Sequence, residues 1–241
     1  MKSIFITGAN GGLGSAMARA FLEASPENRV WLGVRRGRDV AGAIAAEFPG
    51  RARCIDLDVA DRPAWDAAVG AVLAEGGRLD VLVNNAGAHE DALLAFMSDE
   101  SWRGVLGANL DGVFYGCRAV IKPMMAQRFG RIINVASLSA LLPPAGQANY
   151  AAAKAGVAAM TRVLAKEVAR SGITANTLCP GYIETEALAG MDAEAKKGAL
   201  RQVPMRRFGR PAEVAAAAVF LASEAASYIT GAELKIDGGI F

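Results

Sequence analysis

Seven short apolar runs, separated by longer helical stretches, constrain this chain more than any other feature. The runs are Ser3–Thr7, Arg29–Val34, Arg53–Leu57, Leu79–Val83, Arg131–Val135, Thr174–Leu178 and Glu233–Ile236. Several are almost continuously hydrophobic, as strands buried on both faces of a parallel sheet must be. The stretches between them predict helices over Gly12–Ala24, Val40–Phe48, Arg62–Ala74, Ser101–Gln127, Gln147–Arg170 and Ala212–Ser223. Such alternation predicts an α/β doubly wound parallel sheet of about seven strands, with helices on both faces through right-handed crossovers. No linker or low-complexity tract divides the 241 residues, so they are read as a single domain, 1–241. The longest interruption, Pro180 to Pro211, is rich in Gly and Pro and holds a short helical piece at Asp192–Gln202. Its core, 182–210, is expected to be a substrate lid, because loops of that length at a sheet edge usually carry function.

Composition narrows the class. Twenty-six Lys and Arg against 24 Asp and Glu leave a formal net charge of +2, which gives no reason to expect nucleic acid as partner. No apolar run approaches the ~18 residues of a membrane span. The best stretch, Ala215 to Ala222, is bracketed by Glu213 and Glu224. Cys54, Cys117 and Cys179 are odd in number and widely spaced, and His89 is the only histidine, so neither a disulfide framework nor a metal site is expected. The N-terminus lacks the long apolar stretch of a secretory signal, and a cytoplasmic protein is expected.

Chemistry-bearing residues fall at strand ends. The first strand runs into Thr7-Gly8-Ala9-Asn10-Gly11-Gly12-Leu13-Gly14. A glycine turn feeding a helix N-terminus suits a pyrophosphate, although an ordinary glycine turn reads the same in isolation. The spacing is Gly-x3-Gly-x-Gly, not Gly-x-Gly-x-x-Gly. The second strand ends in Arg35-Arg36, where an NAD enzyme would carry a carboxylate for the ribose. Two guanidinium groups there suit a 2′-phosphate, or they are solvated loop arginines. The third strand ends at Asp58-Val59 and the fourth at Asn84-Asn85-Ala86-Gly87, both of which also resemble turn signals. After the fifth strand comes Ser137. Tyr150 follows 13 residues later, and Lys154 is at i+4 on the same helical face. An ammonium near a phenol is expected to lower its pKa and make it a general acid near neutrality. A bare Tyr-x-x-x-Lys pair is commonly surface decoration; its company here is what gives it weight.

In this order and spacing, Thr7–Gly14, Asn84–Gly87, Ser137, Tyr150, Lys154 and Pro180-Gly181 resemble the short-chain dehydrogenase/reductase family over essentially the whole chain. Asn109 matches the family's catalytic asparagine. Gly146–Gly156, Pro180–Glu186 and the stretch from Phe220 to Gly239 look most like bacterial 3-oxoacyl-(acyl-carrier-protein) reductases and the related acetoacetyl-CoA reductases. The segment Leu141-Leu142-Pro143-Pro144-Ala145 departs from the Gly/Asn-richer stretch usual there.

The resemblance implies a Rossmann-type fold and NADPH as cofactor. Gly8, Asn10, Gly11, Gly12, Leu13 and Gly14 would take its pyrophosphate, and Arg35 or Arg36 its 2′-phosphate. Asp58 and Val59 would lie beside the adenine, and Asn85, Ala86 and Gly87 along the ribose. Pro180, Gly181, Ile183 and Thr185 would meet the nicotinamide end. Asn109, Ser137, Tyr150 and Lys154 would be catalytic, with Tyr150 and Lys154 also touching the cofactor. The implied partner is an acyl-thioester substrate on acyl-carrier protein or CoA, and the implied assembly is a homotetramer formed through the helices Ser101–Gln127 and Gln147–Arg170. A small alcohol, sugar, steroid or polyketide ketone is the alternative substrate, and a nucleotide-binding regulator without turnover is the alternative class. Arg128 and Arg131, with Arg201, Arg206, Arg207 and Arg210, are read as a basic rim for an acidic carrier, or as solvated arginines.

Overall fold

The structure, a computed structural model, describes residues 1–241 apart from the side chain of Ala187. Strands β1 (Ser3–Thr7), β2 (Arg29–Val34), β3 (Ala52–Asp56), β4 (Val81–Asn84), β5 (Gly130–Val135), β6 (Ile173–Pro180) and β7 (Glu233–Ile236) form one parallel sheet. Their order is β3-β2-β1-β4-β5-β6-β7. The chain therefore reverses its winding between β1 and β4, which opens a crevice at the carboxyl edge.

The helices are α1 (Gly12–Ala24), α2 (Asp39–Glu47), α3 (Arg62–Gly76), α4 (Asp99–Leu106), α5 (Gly112–Gln127), α6 (Ala148–Val168), α7 (Glu186–Ala189), α8 (Ala193–Gln202) and α9 (Pro211–Leu221). Alternate strand residues face opposite layers. Ile4 and Ile6 of β1 pack with Met17 and Phe21 of α1 and Val214 and Ala218 of α9, whereas Phe5 packs with Trp31, Trp65 and the α5–α6 layer. Full burial of such side chains contributes about 1.5–3 kcal/mol each. The Rossmann-type reading of the sequence is correct.

Beyond shifts of one or two residues at most element ends, three departures from the sequence reading have identifiable reasons. The fourth strand starts at Val81 rather than Leu79, because Gln127 accepts from Leu79 N–H at 3.0 Å and donates to its carbonyl at 2.9 Å. The helix expected over Ser101–Gln127 is α4 and α5 joined by a π turn, Gly107–Asp111. There the Asn109 side chain donates to Val105 O, a carbonyl of the preceding turn, at 2.8 Å. The four-residue α7 has no counterpart in the sequence reading; the adjoining α8 matches the expected helical piece, with Asp192 capping Ala195 N–H at 2.7 Å. No helix is long and apolar enough to cross a membrane among the described residues.

Candidate active site

The reversal point brings the glycine turn after β1 against the Asn-Asn-Ala-Gly segment after β4. Thr7 ties them: its hydroxyl accepts from Asn85 N–H at 3.0 Å and Ala86 N–H at 2.9 Å. Asn85 Nδ2 returns a bond to Thr7 O at 2.9 Å. The glycines then separate into two kinds. Gly8 has φ +66° and packs so close that a Cβ would sit 2.8 Å from Ala86 Cα, and a Cβ on Gly14 would overlap Gly8 O. Gly11 and Gly12 pack loosely against the main chain: the nearest atom to a Gly11 Cβ would be 3.6 Å away, and Gly12 faces only the side chains of Thr185 and Glu186. Gly11 caps α1 without a side-chain bond, so the N–H groups of the first turn must find acceptors elsewhere in the chain or in a ligand. The Glu186 carboxylate already takes Gly12 N–H at 3.3 Å, an anionic oxygen at the positive end of the helix. Leu13 is half-buried against the α1 layer of the core.

Asn10 has a second duty that the sequence did not reveal. Its Oδ1 accepts from Val40 and Ala41 N–H, each at 3.0 Å, and so caps the start of α2. This bond fixes the Arg35-Arg36 turn beside the glycine turn. Arg35 and Arg36 are exposed and make no ion pair among the described residues. Arg38, by contrast, is committed to Asp56 at 2.6 Å. Asp58 caps its own turn, accepting from Ala60 N–H at 3.0 Å, and Val59 packs on Gly112.

Four further residues converge on the other side of the crevice. Lys154, 3% exposed, donates from Nζ to Val135 O at 2.9 Å and lies 5.5 Å from the centre of the Tyr150 ring. Gly87 admits this approach, since a Cβ there would sit 2.5 Å from Asn109 Oδ1 and 3.5 Å from Lys154 Nζ. Asn109 is fully buried and donates to Ala88 O at 2.6 Å, yet its Oδ1 has no partner. A buried orphan acceptor is costly and marks a place where a further polar group belongs. Ser137 stands at the end of β5 and accepts from Ser139 N–H at 3.1 Å.

The electrostatics differ from the sequence expectation. Burial pushes the Tyr150 phenol above its ordinary value; Ser137 opposes this and Asp91 adds to it. Lys154 does not lower it, because the ammonium points to Val135 O and its own burial brings its pKa down to about 8.

The lower edge of the crevice is made by the chain after β6. Pro180 is buried at the end of the strand, and Gly181 packs on Asp237 with no room for a side chain. Ile183 is 7% exposed and belongs to the core, so what it offers a ligand is main chain. Thr185 is the N-cap residue of α7, makes no side-chain bond to that helix, and lies beside Gly12.

The basic rim needs correction. Arg131 is 3% exposed, bonded to Gly130 O and paired with Glu224, and it is no part of a surface. Arg128 is exposed but lies at the amino end of β5, about 20 Å of strand away from Ser137, on the opposite edge of the sheet from the crevice. Of the lid arginines, Arg207 and Arg210 are paired with Glu213.

Comparison with known proteins agrees with this geometry. A family model described as enoyl-(acyl carrier protein) reductase matches residues 8–240. The chain is 39% identical over 240 residues to a 3-oxoacyl-(acyl-carrier-protein) reductase of Chlamydia muridarum, covering 99% of this chain and 97% of the relative. It is 40% identical over 249 residues to the reductase of that name from Vibrio cholerae, and 40% over 240 residues to that of Escherichia coli, covering 100% of this chain and 97% of the relative in both cases. The chain belongs to the short-chain dehydrogenase/reductase family of oxidoreductases.

Proposed function

We propose that the protein is an NADPH-dependent reductase that converts the ketone of a 3-oxoacyl thioester, carried on acyl-carrier protein or CoA, to the 3-hydroxyacyl product. The observation that carries this is the convergence of Ser137, Tyr150, buried Lys154 and the orphaned Asn109 Oδ1 at the carboxyl edge, beside a helix N-terminus that already holds one carboxylate oxygen. The relatives named above are reductases of 3-oxoacyl groups on carrier protein, and two converging hydroxyls suit a carbonyl oxygen.

The residues present fit a dinucleotide phosphate. Gly11 and Gly12 leave the α1 N-terminus open, and the bond from Gly12 N–H to Glu186 is one an anionic phosphate oxygen could equally take. Gly8 and Gly14 serve by letting the turn close on itself. Arg35 and Arg36 would hold the 2′-phosphate, having no ion-pair partner among the described residues. Asp58, Val59, Asn85, Ala86 and Gly87 would border the adenosine, and Pro180, Gly181, Ile183 and Thr185 the nicotinamide end. NADPH, when bound, supplies the hydride.

The chain's own work is positional. Ser137 and Tyr150 hold the ketone oxygen, and Tyr150 gives it a proton. A raised phenol pKa keeps that proton in place until the oxygen becomes basic. Lys154 would hold ribose hydroxyls, and Asn109 Oδ1 with Lys154 would anchor a water chain that returns a proton to Tyr150. The segment 182–210 would act as the lid. Self-association into a tetramer would cover α5 and α6, which expose Phe114 and Val163.

The test is NADPH consumption with acetoacetyl-CoA, 3-oxoacyl-carrier thioesters, an enoyl thioester and a panel of sugar, steroid and small-alcohol substrates. Turnover confined to the 3-oxo thioesters is expected. Turnover of the enoyl thioester alone, or of none of the panel, overturns the reading.

A further inference from the structure

Four side chains outside the proposed catalytic group link Ser137 to Tyr150 in a ring of contacts. The His89 ring stands edge-on to Tyr150, with centroids 6.3 Å apart and planes at 79°. His89 Nδ1 lies 3.6 Å from Asp91 Oδ1. Gln147 Nε2 donates to the other carboxylate oxygen at 3.0 Å, and Gln147 Oε1 accepts from Ser139 Oγ at 2.9 Å. Ser139 N–H in turn donates to Ser137 Oγ. The contacts thus run from Ser137 through Ser139, Gln147, Asp91 and His89 back to Tyr150. Two more bonds lock the loop after β4 to the α6 entry: Ala92 N–H to Gly146 O at 2.9 Å and Asn149 Nδ2 to Glu90 O at 3.1 Å.

The titratable groups facing Tyr150 are Asp91 and His89 from the loop after β4 and Lys154 from its own helix, with Cys179 of β6 beside Lys154. An anion near a phenol favours its protonated form.

We propose that Asp91 and His89 are positioning residues for proton transfer at Tyr150. Gln147 fixes the carboxylate, the carboxylate orients the imidazole against the phenol ring, and the charge on the pair sets how readily the hydroxyl releases its proton. This rests on Tyr150 being the proton donor.

The experiment compares wild type, Asp91→Asn, Asp91→Glu, His89→Gln and Tyr150→Phe. Reduction of acetoacetyl-CoA and oxidation of 3-hydroxybutyryl-CoA are followed across pH, with NADPH affinity read from its fluorescence. Asp91→Asn should move the alkaline limb of oxidation to lower pH by about half a unit or more, and Asp91→Glu should restore it. His89→Gln, which removes the ring held against the phenol, should lower the reduction rate severalfold. NADPH affinity should change little, since no hydrogen bond or ion pair joins His89 or Asp91 to the residues proposed to hold its phosphates. The variants act independently, so one that misfolds leaves the other to decide. Profiles of Asp91→Asn and His89→Gln that superimpose on wild type, with Tyr150→Phe inactive, overturn this proposal alone. Full activity in Tyr150→Phe overturns the assignment of the proton donor as well.

Discussion

The two banks of the crevice are built differently. On the β1–α1 bank the chain offers main chain: glycines that pack on one another, N–H groups of a helix N-terminus, and Asn10 and Asn85 consumed in tying loops together. On the β5–α6 bank it offers side chains: Ser137, Tyr150 and Lys154, with Asn109 facing them from the π turn. A main-chain bank tolerates no added atoms where it closes on itself and many where it faces outward. A side-chain bank tolerates changes of shape poorly and changes of chemistry not at all.

The sharpest contrast is expected at Tyr150. Tyr150→Phe keeps the shape and removes the hydroxyl; turnover should fall by at least ~100-fold while NADPH binding survives. Steady-state rates with acetoacetyl-CoA and a binding titration check it, and retained turnover would show that the second bank is not where the proton comes from.

Next are the two kinds of glycine. Gly14→Ala forces a Cβ into Gly8 O, and overpacking of this sort costs about 1–3 kcal/mol. Gly11→Ala meets nothing nearer than 3.6 Å and should cost about 0.5–1 kcal/mol in stability as an N-cap change, less than the packing loss. Denaturant unfolding of both variants measures the gap, and equal losses would erase the distinction between closing and facing glycines.

The arginines test whether the first bank uses side chains at all. A charged hydrogen bond contributes ~1.5–3 kcal/mol, so NADPH should be favoured over NADH by at least about tenfold in kcat/KM. Replacing Arg35 and Arg36 together by Ala should remove most of that preference. If both cofactors serve the wild type equally, the first bank is main chain throughout.

The smallest effect concerns Lys154. Its pKa is lowered by burial to about 8, so above pH 8 and up to the ordinary lysine value the unfolded chain holds more protons than the folded one. Stability from this group therefore rises with pH across that window. Tyr150, raised by burial, acts in the opposite direction and only above its ordinary value of ~10, where the unfolded phenol gives up its proton first and stability falls as pH rises. Below that value Lys154 is the one of these two groups that acts, and the comparison with Lys154→Met isolates it from the buried thiols. Unfolding at pH 8 and pH 9.5 should show a steeper gain in wild type than in Lys154→Met. Parallel slopes would mean that the ammonium is not buried as described.

Much of the fold is legible in the order of residues. The seven strands follow from apolar runs flanked by turns, and β1, β2, β7 and α1 keep their expected bounds to the residue. The site residues at strand ends are legible because a parallel sheet gathers its carboxyl ends along one edge. Arg128 and Arg131 mislead for the same reason in reverse. They stand at the start of β5, which in a parallel sheet is the end away from the crevice, and no run of residues says whether an arginine is buried under Phe129 and Glu224.

Local periodicity and spacing within single elements are thus enough for the strand-helix alternation and for the identity of the chemical groups. The couplings between those groups come from packing. Thr7 with Asn85, Asn10 with the start of α2, Gly87 with Asn109 and Lys154, and His89 with Asp91 and Tyr150 all join different elements of the crevice. Their partners are chosen by how β1, β4 and β5 lie side by side, and their electrostatics by burial, as the raised phenol of Tyr150 and the lowered ammonium of Lys154 show. Burial is a property of the packed layers, and no run of residues carries it alone.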